Sequence, residues 1–337
     1  MRRFHRHRLP ALALLAALSA VPASAATFNT GYFYELSALG TSKSIQVGGD
    51  TQAGVARTVI DQVQAISGGS SAYALIHSSS TARHGYLTAS MLGSTSLRTQ
   101  QAMDSTFIQA RTTSSVSDSF VINCAGCAAG TIGSLSFRVF FNADTSRQGW
   151  LGQPGTDVSG YVADTNWSTN FQIRAEGVPN PIPDPPDGPA PPNPGQAWFN
   201  YFRLDTLRNG QGSTLESPRV SAGLQELSIQ FVFGEPIHVD MSLYAGVLGA
   251  AYAGEGHVGS FAGSSNTVTD ASRSMYWDGI AAVWDANGQQ ITTFSALNAE
   301  GVDYARSLAV VPEPGTWALM AAGLGVLGAL ARRRRAA

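Results

Sequence analysis

The stretch Leu227-Ser228-Ile229-Gln230-Phe231-Val232-Phe233-Gly234-Glu235-Pro236-Ile237-His238-Val239-Asp240-Met241-Ser242-Leu243 decides the fold. Its first half alternates Leu227, Ile229, Phe231 and Phe233 with Ser228, Gln230 and Val232. After Gly234-Glu235-Pro236 the alternation resumes, with Ile237, Val239, Met241 and Leu243 set against His238, Asp240 and Ser242. Successive side chains of a strand point to opposite faces, so a period of two gives each half one apolar and one wet face. The Gly-x-Pro between them suits a turn and interrupts the pattern. The pair reads as an antiparallel hairpin with one face turned to a core.

The same period recurs on either side. Val116, Asp118, Phe120 and Ile122 share a face, as do Leu135, Phe137, Val139 and Phe141, with Ser136 and Arg138 opposite. Cys124-Ala125-Gly126-Cys127 falls in the turn between these two strands. Another hairpin is predicted from 276–284 and 289–294 around Asp285-Ala286-Asn287-Gly288, whose residues suit tight turns. Phe28 to Leu36, rich in aromatics, reads as a first strand. Thr51 to Ile66 breaks the rule: Val55, Val59, Ile60, Val63 and Ile66 fall near one helical face and predict a short N-terminal helix. Ser78 to Ser115 is rich in Ser, Thr and Ala with weak periodicity, which predicts short strands and loops. Nine prolines crowd Pro179 to Pro194, so 178–195 is extended and unpaired. Phe171, Ile173 and Ala175 alternate before it, and Trp198, Phe202 and Leu204 share a face after it. That pattern suits one sheet with a Pro-rich insertion, two separate sandwiches being the alternative. The expected fold class is mainly β, an antiparallel jelly-roll-like β-sandwich with a short N-terminal helix.

Both ends carry addresses. Arg2, Arg3, Arg6 and Arg8 precede the apolar run Ala11 to Leu18 and the small-x-small site Ala23-Ser24-Ala25, so 1–25 reads as a secretory signal peptide. Between 27 and 311 stand 22 acidic and 13 basic side chains, a net charge of −9, although the whole chain is only −2. So acidic a domain is a poor nucleic-acid binder, because affinity there rests on neutralising phosphates. Its length suffices for a large core. The two cysteines, Cys124 and Cys127, read as a local disulfide in an oxidising exported protein. A redox motif would need a βαβ context, and zinc would need two more ligands.

At the C-terminus, Val311-Pro312-Glu313-Pro314-Gly315-Thr316-Trp317 opens an uncharged run to Ala331, closed by Arg332, Arg333, Arg334 and Arg335. As a helix, 317–331 spans roughly 22 Å, short of a hydrocarbon core of about 30 Å but able to cross with local thinning. The arginines hold their end in the cytoplasm, leaving Pro312, Glu313 and Pro314 outside. This three-part layout over 312–337 resembles the PEP-CTERM sorting signal of exopolysaccharide-making Gram-negative bacteria. The resemblance implies recognition by an exosortase, with a precursor anchored in the inner membrane and a mature form at the cell surface or beyond it. The Gly-x-x-Gly-x-Leu-x-Phe run at 130–137, the Phe-Val-Phe-Gly-x-Pro-Ile turn at 231–237 and the Trp277-Asp278-Gly279-Ile280 stretch look like the β-sandwich ectodomains that often precede this signal. They imply a fold for 27–311, and no activity.

Chemistry is harder to find. There is no nucleophile elbow, no His-Glu-x-x-His and no phosphate-cradling loop, and no motif asks for a cofactor or metal. His238 and Asp240 share the wet face of one strand and are able to ligate a metal or act as base and orienter, but alternation alone demands polar residues there. His77 and His84 read as loop residues; the domain's fourth histidine is His257. Asp278, Asp285, Glu235 and Glu255 offer carboxylates for a glycosidase, as any chain this acidic would. Asp285 to Gly288 resembles the opening of a calcium loop without the later ligands, and a hairpin turn explains the same residues. Tyr276, Trp277 and Trp284 are candidates for sugar stacking or for the core. Three functions are in play. First is an exported structural or adhesive protein associated with exopolysaccharide. A carbohydrate-binding module is second, and it requires some of Trp150, Trp167, Trp277 and Trp284 to face solvent. A secreted hydrolase is third.

Overall fold

The computed structural model describes residues 25–47, 55–152, 159–179, 193–217, 220–255 and 260–309. The predicted signal peptide, the membrane helix 317–331, most of the proline-rich segment and His257 lie outside the described residues. Every regular element described is a strand: β1 Thr27–Ala38, β2 Thr41–Val47, β3 Val55–Ser67, β4 Ser70–Arg83, β5 Tyr86–Thr99, β6 Ser105–Cys124, β7 Ile132–Phe141, β8 Asp144–Leu151, β9 Ser159–Ala175, β10 Gln196–Arg208, β11 Gln211–Glu216, β12 Gly223–Val232, β13 Pro236–Ala253, β14 Phe261–Trp284 and β15 Phe294–Asn298. The pairings are antiparallel. One sheet runs β11-β10-β9-β13-β6-β1-β2, with β15 also on β6; the other runs β12-β7-β14-β5-β4-β3, with β8 also on β14. The strands on either side of the proline-rich segment, β9 and β10, pair with each other from Arg174↔Gln196 to Val162↔Arg208.

The two sheets face each other across one continuous hydrophobic cluster. Towards one end it is rich in aromatics. Trp277 of β14 is fully buried, stacked on Phe137 of its own sheet with centroids 5.0 Å apart, and it touches Phe120 and Phe171 of the other. Phe141 sits against Trp167, Phe199 and Tyr201 in the same way. Each fully buried large side chain of this kind contributes about 1.5–3 kcal/mol. Towards the other end aliphatic side chains such as Ile76, Met91 and Ile108 are interspersed with small and hydroxylated residues, among them Ala74, Ala89, Thr95, Thr106, Thr112, Ser265 and Thr267. There the sheets are stitched directly. Thr106 donates to Tyr73 O at 3.1 Å, Ser114 to Thr88 O at 2.9 Å and Thr269 to Gly246 O at 3.0 Å, each from one sheet to the backbone of the other.

Three expectations are corrected. Residues 55–66 of the predicted helix form β3, paired along its length with β4. Val55, Val59 and Val63 are four apart, a spacing that serves both a strand face and a helix face. Ile60 and Ile66, which favoured the helix, stand 67% and 75% exposed on the outer face. The β-branched residues are at home in a strand and stiff in a helix. The Ser/Thr-rich stretch 78–115 is not short strands and loops: it belongs to β4, β5 and β6, three of the longer strands. Finally, 285–288 does turn, but the return arm makes only the bridge Trp284↔Gln290 before the chain crosses to pair β15 with β6.

Candidate functional site

The outer face of the larger sheet carries a trough of about 380 Å³ lined by Phe33, Arg111, Asp164, Asn166, Leu204 and Tyr244, among others. Strand register builds it. Leu204 of β10, Asn166 of β9, Gly246 of β13, Arg111 of β6 and Phe33 of β1 form one row across five strands. Gly246 is the floor. A Cβ there would lie 2.1 Å from Asn166 Oδ1 and 2.8 Å from the Tyr244 hydroxyl, so only glycine lets the carboxamide lie across the strand. The Arg111 guanidinium stacks over the Phe33 ring at 5.2 Å. The trough continues past Phe33, Arg111 and Tyr244 into a second hollow bounded by Gly31 and Gln46.

Two acceptors in this trough, Asp164 Oδ1 and Asn166 Oδ1, are buried with no hydrogen-bond partner among the described residues. Leaving a buried acceptor without a donor costs about 1–3 kcal/mol, and a ligand hydroxyl or N–H would recover it. Burial pushes the Asp164 carboxyl up, against the pull of Arg208, a backbone hydrogen bond from Leu207 and the pull of Arg147. Beside the acceptors, β10 turns Trp198 (70% exposed), Phe202 and Leu204 outward. The set combines acceptors, one guanidinium and aromatic faces, which suits a polyhydroxylated ring with polar edges and C–H faces. Glu35 lies in the same register row as Asp164, three strands away through Leu248 and Gln109. Three strand spacings make about 14 Å, beyond the roughly 5–9.5 Å that glycosidase carboxylate pairs use.

The residues singled out from sequence are dispersed. His238 and Asp240 do share the outer face of β13, but His238 Nε2 meets Glu176 at 2.7 Å and Asp240 accepts from Ser117 at 2.5 Å. His77 is exposed on β4. Asp278 pairs with Arg138 at 3.4 Å, Glu235 sits in the β12–β13 turn and Glu255 is exposed. Asp285 Oδ1 accepts the backbone N–H groups of Asn287 and Gln289 at 2.9 and 2.8 Å, so its turn uses the carboxylate. Trp167 and Trp277 are core, Trp284 and Tyr276 are partly buried, and Trp150 is 56% exposed. Cys124 and Cys127 face each other across their turn with Cα atoms 5.5 Å apart, within disulfide reach.

His84, read as a loop residue, belongs to a second constellation. In the β4–β5 turn, its Nδ1 meets Asp118 at 3.0 Å and its Nε2 meets Glu300 at 2.9 Å. Asp118, buried on β6, also accepts from the Tyr304 hydroxyl at 2.5 Å and Asn298 Nδ2 at 3.0 Å. The hydrogen bond to Asp118, with Glu300 adding to it, raises the His84 pKa against the effect of burial. Burial, reinforced by Asp118, pushes the Tyr304 hydroxyl up and keeps it protonated. Trp277 Nε1 donates to Tyr304 O at 2.7 Å and Leu308 N to Trp277 O at 2.9 Å. The cluster is a clasp: it fastens 298–308 to both sheets.

Immediately beyond that clasp the chain changes character, and the PEP-CTERM protein-sorting motif matches residues 310–335. The motif implies an exported protein whose membrane-anchored precursor is sorted by an exosortase, and the described residues ahead of it are antiparallel β-sheet. The motif covers Pro312, Glu313, Pro314 and Arg332 to Arg335, all outside the described residues. No curated protein and no solved structure matches the chain.

Proposed function

We propose that 27–311 is a single jelly-roll-like β-sandwich ectodomain of a cell-surface or matrix protein that holds its producer's exopolysaccharide in the trough of the larger sheet. The buried acceptors Asp164 Oδ1 and Asn166 Oδ1, without a partner among the described residues and beside Tyr244 and Phe33, carry this reading. In it, 1–25 is removed on export, 317–331 spans the inner membrane until exosortase processing at Pro312, Glu313 and Pro314, Arg332 to Arg335 stay cytoplasmic, and Cys124 and Cys127 form a disulfide that steadies the β6–β7 turn. A purely structural role would use the same delivery and leave the trough unused.

The test is binding of the full-length protein, in mild detergent, to purified exopolysaccharide of the producing cell. Asn166→Ala with Tyr244→Ala should weaken binding at least about tenfold, the equivalent of roughly 1.4 kcal/mol, with the melting temperature held within a few degrees. Unchanged binding in that variant would rule out this trough as the site, no binding by the wild type would leave delivery alone as the function, and sugar released over time would make the domain a hydrolase. Replacing Pro312, Glu313 and Pro314 with alanine should leave unprocessed precursor in the membrane.

A further inference from the structure

The smaller sheet has a trough of its own, on the opposite outer face and remote from the site above. It encloses about 370 Å³, lined by Gln64, Tyr73, Ser96, Arg98, Trp150 and Ser264 among others. Again register makes the row: Trp150 of β8 opposes Ser264 of β14, which opposes Ser96 of β5, Tyr73 of β4 and Gln64 of β3 in turn. An aromatic therefore stands on either side of two serines. Trp150 and Tyr73 are three strand spacings apart, about 14 Å, the length of a short oligosaccharide rather than of one ring. Trp150 lies over Gly152, where a Cβ would come within 2.8 Å of the indole, so the ring rests along the sheet instead of standing off it. Arg98, one pleat along and paired with Ala262, is the only charged side chain lining the trough among the described residues.

We propose that this trough binds an acidic pyranose chain, a uronate-bearing polysaccharide segment. Trp150 and Tyr73 stack on sugar C–H faces, Ser96 and Ser264 meet hydroxyls, and Arg98 pairs with a carboxylate. Stacking on aromatics supplies area without demanding a fixed hydroxyl pattern, while the guanidinium selects for charge and matches a carboxylate bidentately. The site stands independently of the first. With both occupied, one molecule bridges two chains through opposite faces, and that consequence alone rests on the proposed function above.

The experiment titrates full-length protein in mild detergent with a polyuronate hexamer and, separately, a neutral β-glucan hexamer, following tryptophan fluorescence and heat. The wild type should bind the polyuronate at least about tenfold more tightly than the neutral hexamer. Trp150→Ala and Arg98→Gln should each weaken polyuronate binding by at least about tenfold, whereas Asn166→Ala with Tyr244→Ala should leave it intact. Arg98→Gln should also lessen the weakening of binding by added salt. The proposal falls if the wild type does not bind polyuronate, if Trp150→Ala binds it unchanged, or if the neutral hexamer binds equally well. Exopolysaccharide binding unchanged in Asn166→Ala with Tyr244→Ala would instead count against the first trough and leave this one standing.

Discussion

Replacing Tyr304 with phenylalanine isolates one bond of the C-terminal clasp. The ring would keep its stacking on Phe120, with centroids 4.9 Å apart and planes 14° from parallel, and its edge contact with Trp277. What goes is the hydroxyl's 2.5 Å hydrogen bond to Asp118 Oδ2. Asp118 would retain His84, Asn298 and the Ser119 N–H, so it is weakened rather than orphaned. A hydrogen bond to a charged group contributes about 1.5–3 kcal/mol. At about 2–4 °C per kcal/mol for a domain of this size, Tyr304→Phe should lower the melting temperature of the full-length protein by about 3–12 °C. Limited proteolysis should show earlier cutting between 294 and 309. The sign of the pH dependence follows from His84, whose folded pKa is raised by Asp118 and Glu300. A raised pKa stabilises fully below the ordinary histidine value of about 6.5 and loses that contribution as pH rises through the folded value. His84→Gln should therefore cost most at acidic pH and least in alkali. Calorimetry of both variants across pH is the assay. A Tyr304→Phe shift under about 1 °C, or a His84→Gln penalty that grows with pH, would refute the clasp as a stabilising unit.

Two further outcomes follow from the interior. Asp205, fully buried, accepts from Thr145 and Thr214 and pairs with Arg147 and Arg203; burial alone would raise its pKa, but these four partners win and lower it to about 2. Its stabilisation is complete above about pH 4 and should be lost as pH falls towards 2, so Asp205→Asn should narrow the stability gap to wild type only in that acid window, as acid-melting curves would show. Gly93→Ala places a Cβ 2.0 Å from Ile108 Cδ1 and 3.0 Å from Val247 Cγ2. It should destabilise by about 1–3 kcal/mol through overpacking and weaken ligand binding at both troughs, measured by the two titrations described above.

The fold was legible wherever the core is made of large side chains. Leu135, Phe137, Ile229 and Met241 alternate with polar residues, and all four face inward as their period requires. Around 78–115 the period was just as strict but carried by Ala, Ser, Thr and Gly, whose alternation hydrophobicity cannot register. The stitching by Thr106 and Ser114 replaces apolar contact there. β10 misleads differently. Trp198, Phe202 and Leu204 do share a face, but it is the outer one, because Phe199 and Tyr201 fill the inner face and both stripes are aromatic. One site residue had a visible signal. Asp118 is a carboxylate within the inward run Val116, Phe120 and Ile122, and a charge on such a face requires partners. Those partners, His84, Asn298 and Tyr304, lie 34, 180 and 186 residues away, a separation no local pattern reveals.

The two troughs share a cause. Each lies over the small-residue end of the interior: beneath Gly246 and Arg111 are Ala245 and Thr112, and beneath Ser96 and Ser264 are Thr95 and Ser265. Side chains of that size cannot hold two sheets at the roughly 10 Å of ordinary face-to-face packing. Direct hydroxyl-to-carbonyl bonds between the sheets, and the position of Gly93 against Ile108 and Val247, are what close approach looks like at atomic scale. When two sheets sink toward each other over part of their length, both outer faces become hollow over the same part. The aromatic end, propped apart by Trp277, Phe137 and Phe171, has no such reason to sink. The hydroxyl-rich strands thus do two things at once. They pack an interior with little apolar bulk, and they leave Trp150, Tyr73, Tyr244 and Phe33 standing at the rims of hollows rather than on flat sheet. A core repacked with bulkier residues could keep the fold and still lose both sites.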